Sequence, residues 1–160
     1  LRDDRWLFVH LGVMLERADN TARLLDAKHR ALSGPEADSA IAYAEWQALL
    51  RSVSALRAYQ WVYHERLEAR LVADLLIFRP ELPRSLLACH SRVARALEEV
   101  AARSDGRRGE PQRMSLEIHE GLRNGSIEAV MTAGLHDWLT GQIDRNLELG
   151  NAIQGLYLNG

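Results

Sequence analysis

Apolar residues recur at steps of three and four along nearly the whole chain, and nowhere do they alternate with period two over a useful length. Leu7, Leu11, Met14, Ala18, Ala22 and Leu25 form the first such stripe. It predicts a helix from about Asp4 to Leu32 with one buried face. Asp3 or Asp4 can accept hydrogen bonds from the unpaired N–H groups of its first turn. Ser33-Gly34-Pro35 stops it, because glycine tolerates the left-handed conformation and proline cannot continue the ladder. A second helix starts near Asp38 and passes through Trp46, Leu49, Leu50 and Val53. It continues, or kinks at Ser52 or Ser54, into Leu56, Tyr59, Trp61 and Tyr63. A short helix over Leu67 to Phe78 follows, and Pro80 and Pro83 bracket a tight connection.

The second half follows the same logic. Leu86, Leu87, Val93, Leu97 and Val100 mark one side of a long helix from about Pro83 to Arg103. The glycine-containing stretch from Ser104 to Pro111 reads as a mobile loop. A short helix from Gln112 to Arg123 ends at Asn124-Gly125, and Ser126 caps the last helix, with Glu128 near its positive end. That helix carries Ile127, Met131, Leu135, Trp138, Ile143, Leu147, Ile153 and Leu156. The expected fold is all-α: one domain, a bundle of five to seven helices, its first and last helices long and antiparallel.

Composition narrows the classes. A chain of 160 residues is one ordinary domain and buries roughly two-thirds of its unfolded surface, so no disulfide or metal staple is needed. A net charge of −2 leaves no footprint for nucleic acid or an anionic membrane. No apolar run reaches the roughly 18 residues that span a bilayer, and no signal peptide precedes the first helix. The single cysteine, Cys89, cannot form an internal disulfide, which suits a reducing cytoplasm. The chain begins at Leu1 rather than Met, and a fragment of a longer protein is expected. Of the 20 basic residues, Lys28 is the only lysine. That bias reflects either a GC-rich genome or selection for the bidentate recognition of carboxylates and phosphates that Arg performs and Lys does not.

Several chemistries lack their motifs. There is no phosphate-binding G-x-x-x-x-G-K-[ST] loop, no G-x-G-x-x-G turn and no G-x-S-x-G elbow. None of the six histidines lies three or four residues from another, so no single helix presents a His pair to zinc. No Glu is followed by His at the third position, against a carboxylate-bridged di-iron bundle. Neither a metal site nor a cofactor is expected.

The polar groups that remain are few. Glu16, Asn20 and Arg23 share one face of the first helix, and Asp19 can pair with Arg23 one turn away. Placed beside the apolar stripe, this face reads as an interhelical network that fixes packing, or as a binding site in the bundle core. Arg51 follows the Trp46–Leu50 group, while Tyr59 and Tyr63 lie one turn apart, either a half-buried edge with wet hydroxyls or donors to a carboxylate ligand. Arg84 stands where the long helix opens, a plausible anion site and also an ordinary helix start. His90 and Cys89 fall on the apolar side of that helix and read as a satisfied core histidine and a small buried hydrophobe. Arg103, Arg107, Arg108 and Arg113 read as a solvated loop, without the interleaved aromatics of a nucleic-acid surface.

The ordered set of segments resembles the bacterial alpha-E domain family. It begins with Arg2-Asp3-Asp4-Arg5-Trp6, then Leu11-Gly12 and Leu15-Glu16-Arg17-Ala18-Asp19-Asn20-Thr21-Ala22-Arg23-Leu24-Leu25-Asp26. Trp46, Ala48-Leu49-Leu50-Arg51-Ser52-Val53-Ser54-Ala55, Ala58-Tyr59 and Phe78-Arg79-Pro80-Glu81-Leu82-Pro83-Arg84-Ser85 follow in order. Val13 departs from the pattern, which would place an Arg after Gly12. The resemblance implies that this chain corresponds to the C-terminal half of a typical member, with an earlier copy of the E-R-A-x-x-T-A-R-L-L segment upstream. It also implies partnership with circularly permuted ATP-grasp enzymes or transglutaminase-like proteins, and so with amide-bond chemistry.

Three functions compete. One is an accessory binding domain that docks on, or presents a carboxylate or peptide to, an ATP-grasp ligase. Another is an enzyme acting on amides or peptides, with Glu16 as acid or base and Arg23 and Arg51 as clamps. The third is a purely structural helical module. Candidate binding residues are Glu16, Asn20, Arg23, Arg51, Tyr59 and Arg84. A single half exposes a surface that would meet its sibling, so a two-fold homodimer through the first helix is also expected.

Overall fold

The computed structural model describes residues 3–159, which leaves Arg2 of the opening segment outside the described residues. Among them are nine α-helices and no strand. These are α1 (Asp4–Ala27), α2 (His29–Ser33), α3 (Ala40–Ser52), α4 (Leu56–Tyr63), α5 (Ala69–Phe78), α6 (Leu86–Arg103), α7 (Glu110–Asn124), α8 (Ile127–Ala133) and α9 (Leu135–Ile153), the last closed by a π-helical turn over Gln154–Leu158. None is long and apolar enough to cross a membrane.

Four long helices form the frame: α1, α6, α7 and α9, each packed on the next around a ring. Named contacts fix their directions. Arg103 at the end of α6 reaches Asp4 at the start of α1, and Thr21 Oγ1 donates to the carbonyl of Arg84 just before α6. Gln112 near the start of α7 donates to the carbonyl of Leu97, late in α6. The same Gln112 side chain donates to the hydroxyl of Tyr157, beyond α9. Asn146 Nδ2 of α9 donates to the Leu15 carbonyl at 2.9 Å, while His136 at the head of α9 meets Asp26 at the tail of α1. The ring therefore runs up, down, up, down, and α1 and α9 are antiparallel as expected.

The intervening segment caps one end of that ring. In α5, Leu71, Val72, Ala73, Leu75, Leu76, Ile77 and Phe78 are all buried, as a helix apolar over most of its circumference must be. Around α5 lie α2, α3, α6 and α8. Trp46 of α3 ties this cap down by donating its indole N–H to the buried carbonyl of Ala31 at 2.7 Å.

The helix ends follow capping chemistry. Asp3, Ser39, Ser85 and Ser126 each accept from a backbone N–H three residues on. Of the two acids proposed for α1, Asp3 is the cap. Two expected helices are broken instead of continuous, which raises the helix count above the expected five to seven. The first ends at Lys28 and resumes as α2. The last is interrupted by Gly134, whose φ of +99° lies in a region open essentially to glycine. The expected kink near Ser54 is a full break: Ser54 adopts φ +55° between α3 and α4.

Candidate functional site

Helix α6 buries Leu86, Cys89, His90, Val93, Leu97 and Val100. Its outer strip carries Ser91, Arg92 and Arg95, and alongside it α7 buries Ile118 and Leu122 and leaves His119 and Arg123 at the rim. Between the two helices runs a cleft of about 470 Å3 with Leu87 and Ala88 as floor and Arg92, Arg95, His119 and Arg123 as walls. It continues past Ser91, Arg95 and His119 into a second hollow of about 330 Å3 that reaches Gln112 and Ser115. The Ser115 hydroxyl there is buried and has no hydrogen-bond partner.

In the first cleft the charged side chains are all basic, while Glu98, paired with Arg108, lines the second hollow. Elsewhere Arg23, Arg70, Arg79, Arg103, Arg108 and Arg113 each meet a carboxylate. Arg92, Arg95 and Arg123 meet none among the described residues. Their field is felt by His119, whose proton affinity is lowered by burial first and then by Arg123, with Arg95 adding to the effect and Glu120 opposing it. The imidazole is therefore neutral at neutral pH. Three guanidinium forks beside an apolar floor suit a ligand with a carboxylate or phosphate head and a short apolar stem.

The six residues singled out in the sequence are not brought together. Glu16, Asn20 and Arg23 do share a face, but it is exposed and does not face the core. At about 100° per residue they lie roughly 150–210° round from the Leu7–Leu25 stripe, so the inward placement was geometrically untenable. Arg23 pairs with Asp19 at 2.8 Å, as expected, and Glu16 makes no ion pair among the described residues. Arg51 is exposed at the end of α3. Arg84 is exposed just before α6 and joins α1 only through its carbonyl.

The expectation of wet tyrosine hydroxyls is corrected. Tyr59 is fully buried; its hydroxyl donates to the Arg66 carbonyl at 2.7 Å and accepts from the Glu68 N–H at 3.0 Å. Tyr63 donates to Asp74 at 2.5 Å, and burial together with that carboxylate holds its proton well above the usual phenol range. Both rings serve the connection between α4 and α5.

On α6, Cys89 is buried as expected, and burial pushes its thiol up to about 11 despite the nearby charges of Arg17, Arg92 and Arg84. His90 is buried too, but it is not satisfied: its Nδ1 has no hydrogen-bond partner. Burial lowers its pKa to about 4, helped by His119. The arginines of the α6–α7 connection are exposed, as expected, though Arg103, Arg108 and Arg113 are held in ion pairs. Another cleft, about 700 Å3, lies among Asp38, Tyr43, Trp46, Arg66, Glu68 and Arg70. Its charges are of both signs, and Arg70 is turned to Glu128 at 2.6 Å.

Sequence reasoning missed Arg92, Arg95, His119 and Arg123. The signal was available: basic residues three and four apart, at matching positions on two consecutive helices joined by a short loop.

These features define an all-helical bundle domain with an arginine-lined surface groove. More particularly, the chain belongs to the Alpha-E family: the family model, described as a predicted alpha-helical domain with a conserved ER motif, matches residues 1–158. The Glu-Arg pair occurs twice, as Glu16-Arg17 on α1 and as Glu65-Arg66 between α4 and α5. No curated protein and no solved structure matches the chain.

Proposed function

We propose that this domain is an accessory binding module that holds a carboxylate-bearing peptide or amide substrate for a cytoplasmic, circularly permuted ATP-grasp ligase. A transglutaminase-like protein is the second partner the family resemblance suggests. The observation that carries the reading is the convergence of Arg92, Arg95 and Arg123 on one cleft, none of them paired with a carboxylate among the described residues. Such a groove recognises charge and shape; nucleotide activation would belong to the ligase.

The stand-alone enzyme has less behind it. Glu16 is exposed and makes no ion pair among the described residues, Arg23 is engaged by Asp19, and Arg51 is exposed at the end of another helix. The groove, in turn, is more than a purely structural module requires.

The test is co-purification with a circularly permuted ATP-grasp ligase from the same cell, followed by a product assay with the domain, without it, and with an Arg95→Ala/Arg123→Ala variant. The expected result is a rise in KM for the carboxylate substrate of tenfold or more in the variant, as if the domain were missing. Product formation indifferent to both changes would overturn the proposal.

A further inference from the structure

The two helix breaks that the sequence did not reveal meet at one place. The turn at Lys28 brings His29, the first residue of α2, back over Asp26, so that its Nδ1 lies 2.7 Å from the Asp26 carbonyl and 3.7 Å from the Asp26 carboxylate. The break at Gly134 starts α9 with His136 in its first turn, and His136 Nδ1 lies 2.5 Å from Asp26 Oδ1. The two imidazoles face each other with centroids 4.9 Å apart. One donor atom from each of Asp26, His29 and His136 falls within 4.8 Å of the other two. Asp26 and His136 are 110 residues apart in the chain, a separation that helical spacing of histidines does not register.

The geometry points to a binding site for a divalent transition metal of the zinc class, with Asp26, His29 and His136 as ligands and at least one position left open. Two imidazoles and one carboxylate select such an ion over magnesium or calcium, which want oxygen alone. Donor atoms in a tetrahedral zinc site stand about 3.3 Å apart, given Zn–N of about 2.0–2.1 Å. The cluster is thus an ångström or so from closure, within the reach of side-chain rotation.

Three further observations agree. Asp26 sits in the last turn of α1, which holds no basic residue, and a carboxylate at the negative end of a helix calls for a cation beside it. The one lysine nearby, Lys28, is turned away to Glu45 at 3.5 Å. With Nδ1 donating to the Asp26 carbonyl, the other nitrogen of His29 keeps its lone pair, the arrangement by which proteins orient metal-binding imidazoles. His136 is half exposed, so the open position faces solvent, where water or an anionic ligand can reach it. This site is separate from the α6–α7 groove and does not depend on it.

The experiment uses tag-free protein stripped with a chelator and titrated with Zn2+, and separately with Co2+ for its visible absorption. One equivalent should bind, raise the melting temperature, and with Co2+ give the intense bands of low-coordinate geometry. Asp26→Asn and His136→Ala should each weaken binding by tenfold or more, while His64→Ala, an exposed histidine on α4's end, should leave it unchanged. Circular dichroism of the metal-free variants checks the fold, and His136→Gln replaces His136→Ala if the latter is unfolded. No saturable binding at one equivalent, or binding that survives both ligand substitutions, overturns the assignment.

Discussion

The buried His90, whose Nδ1 has no hydrogen-bond partner, makes stability depend on pH in a way that can be worked out from its place in α6. An ordinary histidine holds its proton up to about pH 6.5, and in the folded protein burial lowers that value to about 4. The folded value lies below the unfolded one, so unfolding takes up a proton. The stability concerned is present above pH 6.5 and is lost as pH falls toward 4. Each tenfold change in proton affinity is worth about 1.4 kcal/mol. At pH 5 the unfolded chain is almost fully protonated at this site and the folded one only about a tenth, a loss of about 2 kcal/mol relative to pH 7; below pH 4 it approaches about 3 kcal/mol. Urea unfolding at pH 7 and pH 5 reads this directly. With a slope of about 2 kcal/mol per molar, the midpoint should fall by roughly 1 M. Other histidines contribute: His119 shifts in the same direction, whereas His136, raised by Asp26, acts in the opposite one. The comparison is therefore with His90→Leu, which removes the titrating group and also the unpaired buried nitrogen. That variant should be at least as stable as wild type at pH 7 and lose far less on acidification. Parallel losses in the two proteins between pH 7 and pH 5 would refute the reasoning.

Tyr59→Phe should destabilise by about 1–3 kcal/mol, because it leaves the Arg66 carbonyl and the Glu68 N–H without the hydroxyl that serves both; thermal melting checks it, and an unchanged midpoint would mean water replaces the hydroxyl. Gly134→Ala should cost about 1–2 kcal/mol through backbone strain alone, since φ is +99° and a Cβ would meet nothing closer than 4.0 Å. Glu16→Ala should change stability by no more than about 0.5 kcal/mol, as befits an exposed residue without an ion pair; a larger loss would show a contact that the exposed face does not display. A two-fold contact along α1 would cover the exposed Val9 and Val13. Light scattering at micromolar concentration should then show a dimer that Val13→Asp converts to monomer, and a monomeric wild type refutes the dimer.

How far the sequence carried depends on what each signal measures. The 3.6-residue period reports which side of a helix is buried, and on that the stripe of α1 agrees with the core residue by residue, that of α6 does so except at the half-buried Leu87, and that of α9 holds at Leu135 and Ile153 but misses the buried Leu139 and Leu149 and includes Leu147, which is exposed. The caps were legible for the same local reason: Asp3 and Ser126 act within three residues. Breaks were harder. Leu25, Ala31 and Leu32 keep nearly helical spacing across Lys28, and Lys28 turns the chain with φ −112° and ψ 14°, a conformation any residue can take. Met131, Leu135 and Trp138 likewise keep step across Gly134, where the glycine itself was the only sign. The error over Glu16 and Arg23 was of another kind, since sharing a face says nothing about which way the face points until it is referred to the stripe. Convergence between helices was the least legible. Arg95 and Arg123 meet because α6 and α7 are antiparallel neighbours, and Asp26 meets His136 because α9 returns along α1 after two turns that periodicity cannot register. The first cluster depends on helix pairing, the second on where helices stop as well, and the residues that decide the second, Lys28 and Gly134, do not themselves belong to it. In a bundle of this kind the binding chemistry is placed by the interruptions, so a substitution such as Gly134→Ala, distant in kind from any ligand, is expected to reposition His136 against Asp26 as well as to strain the backbone.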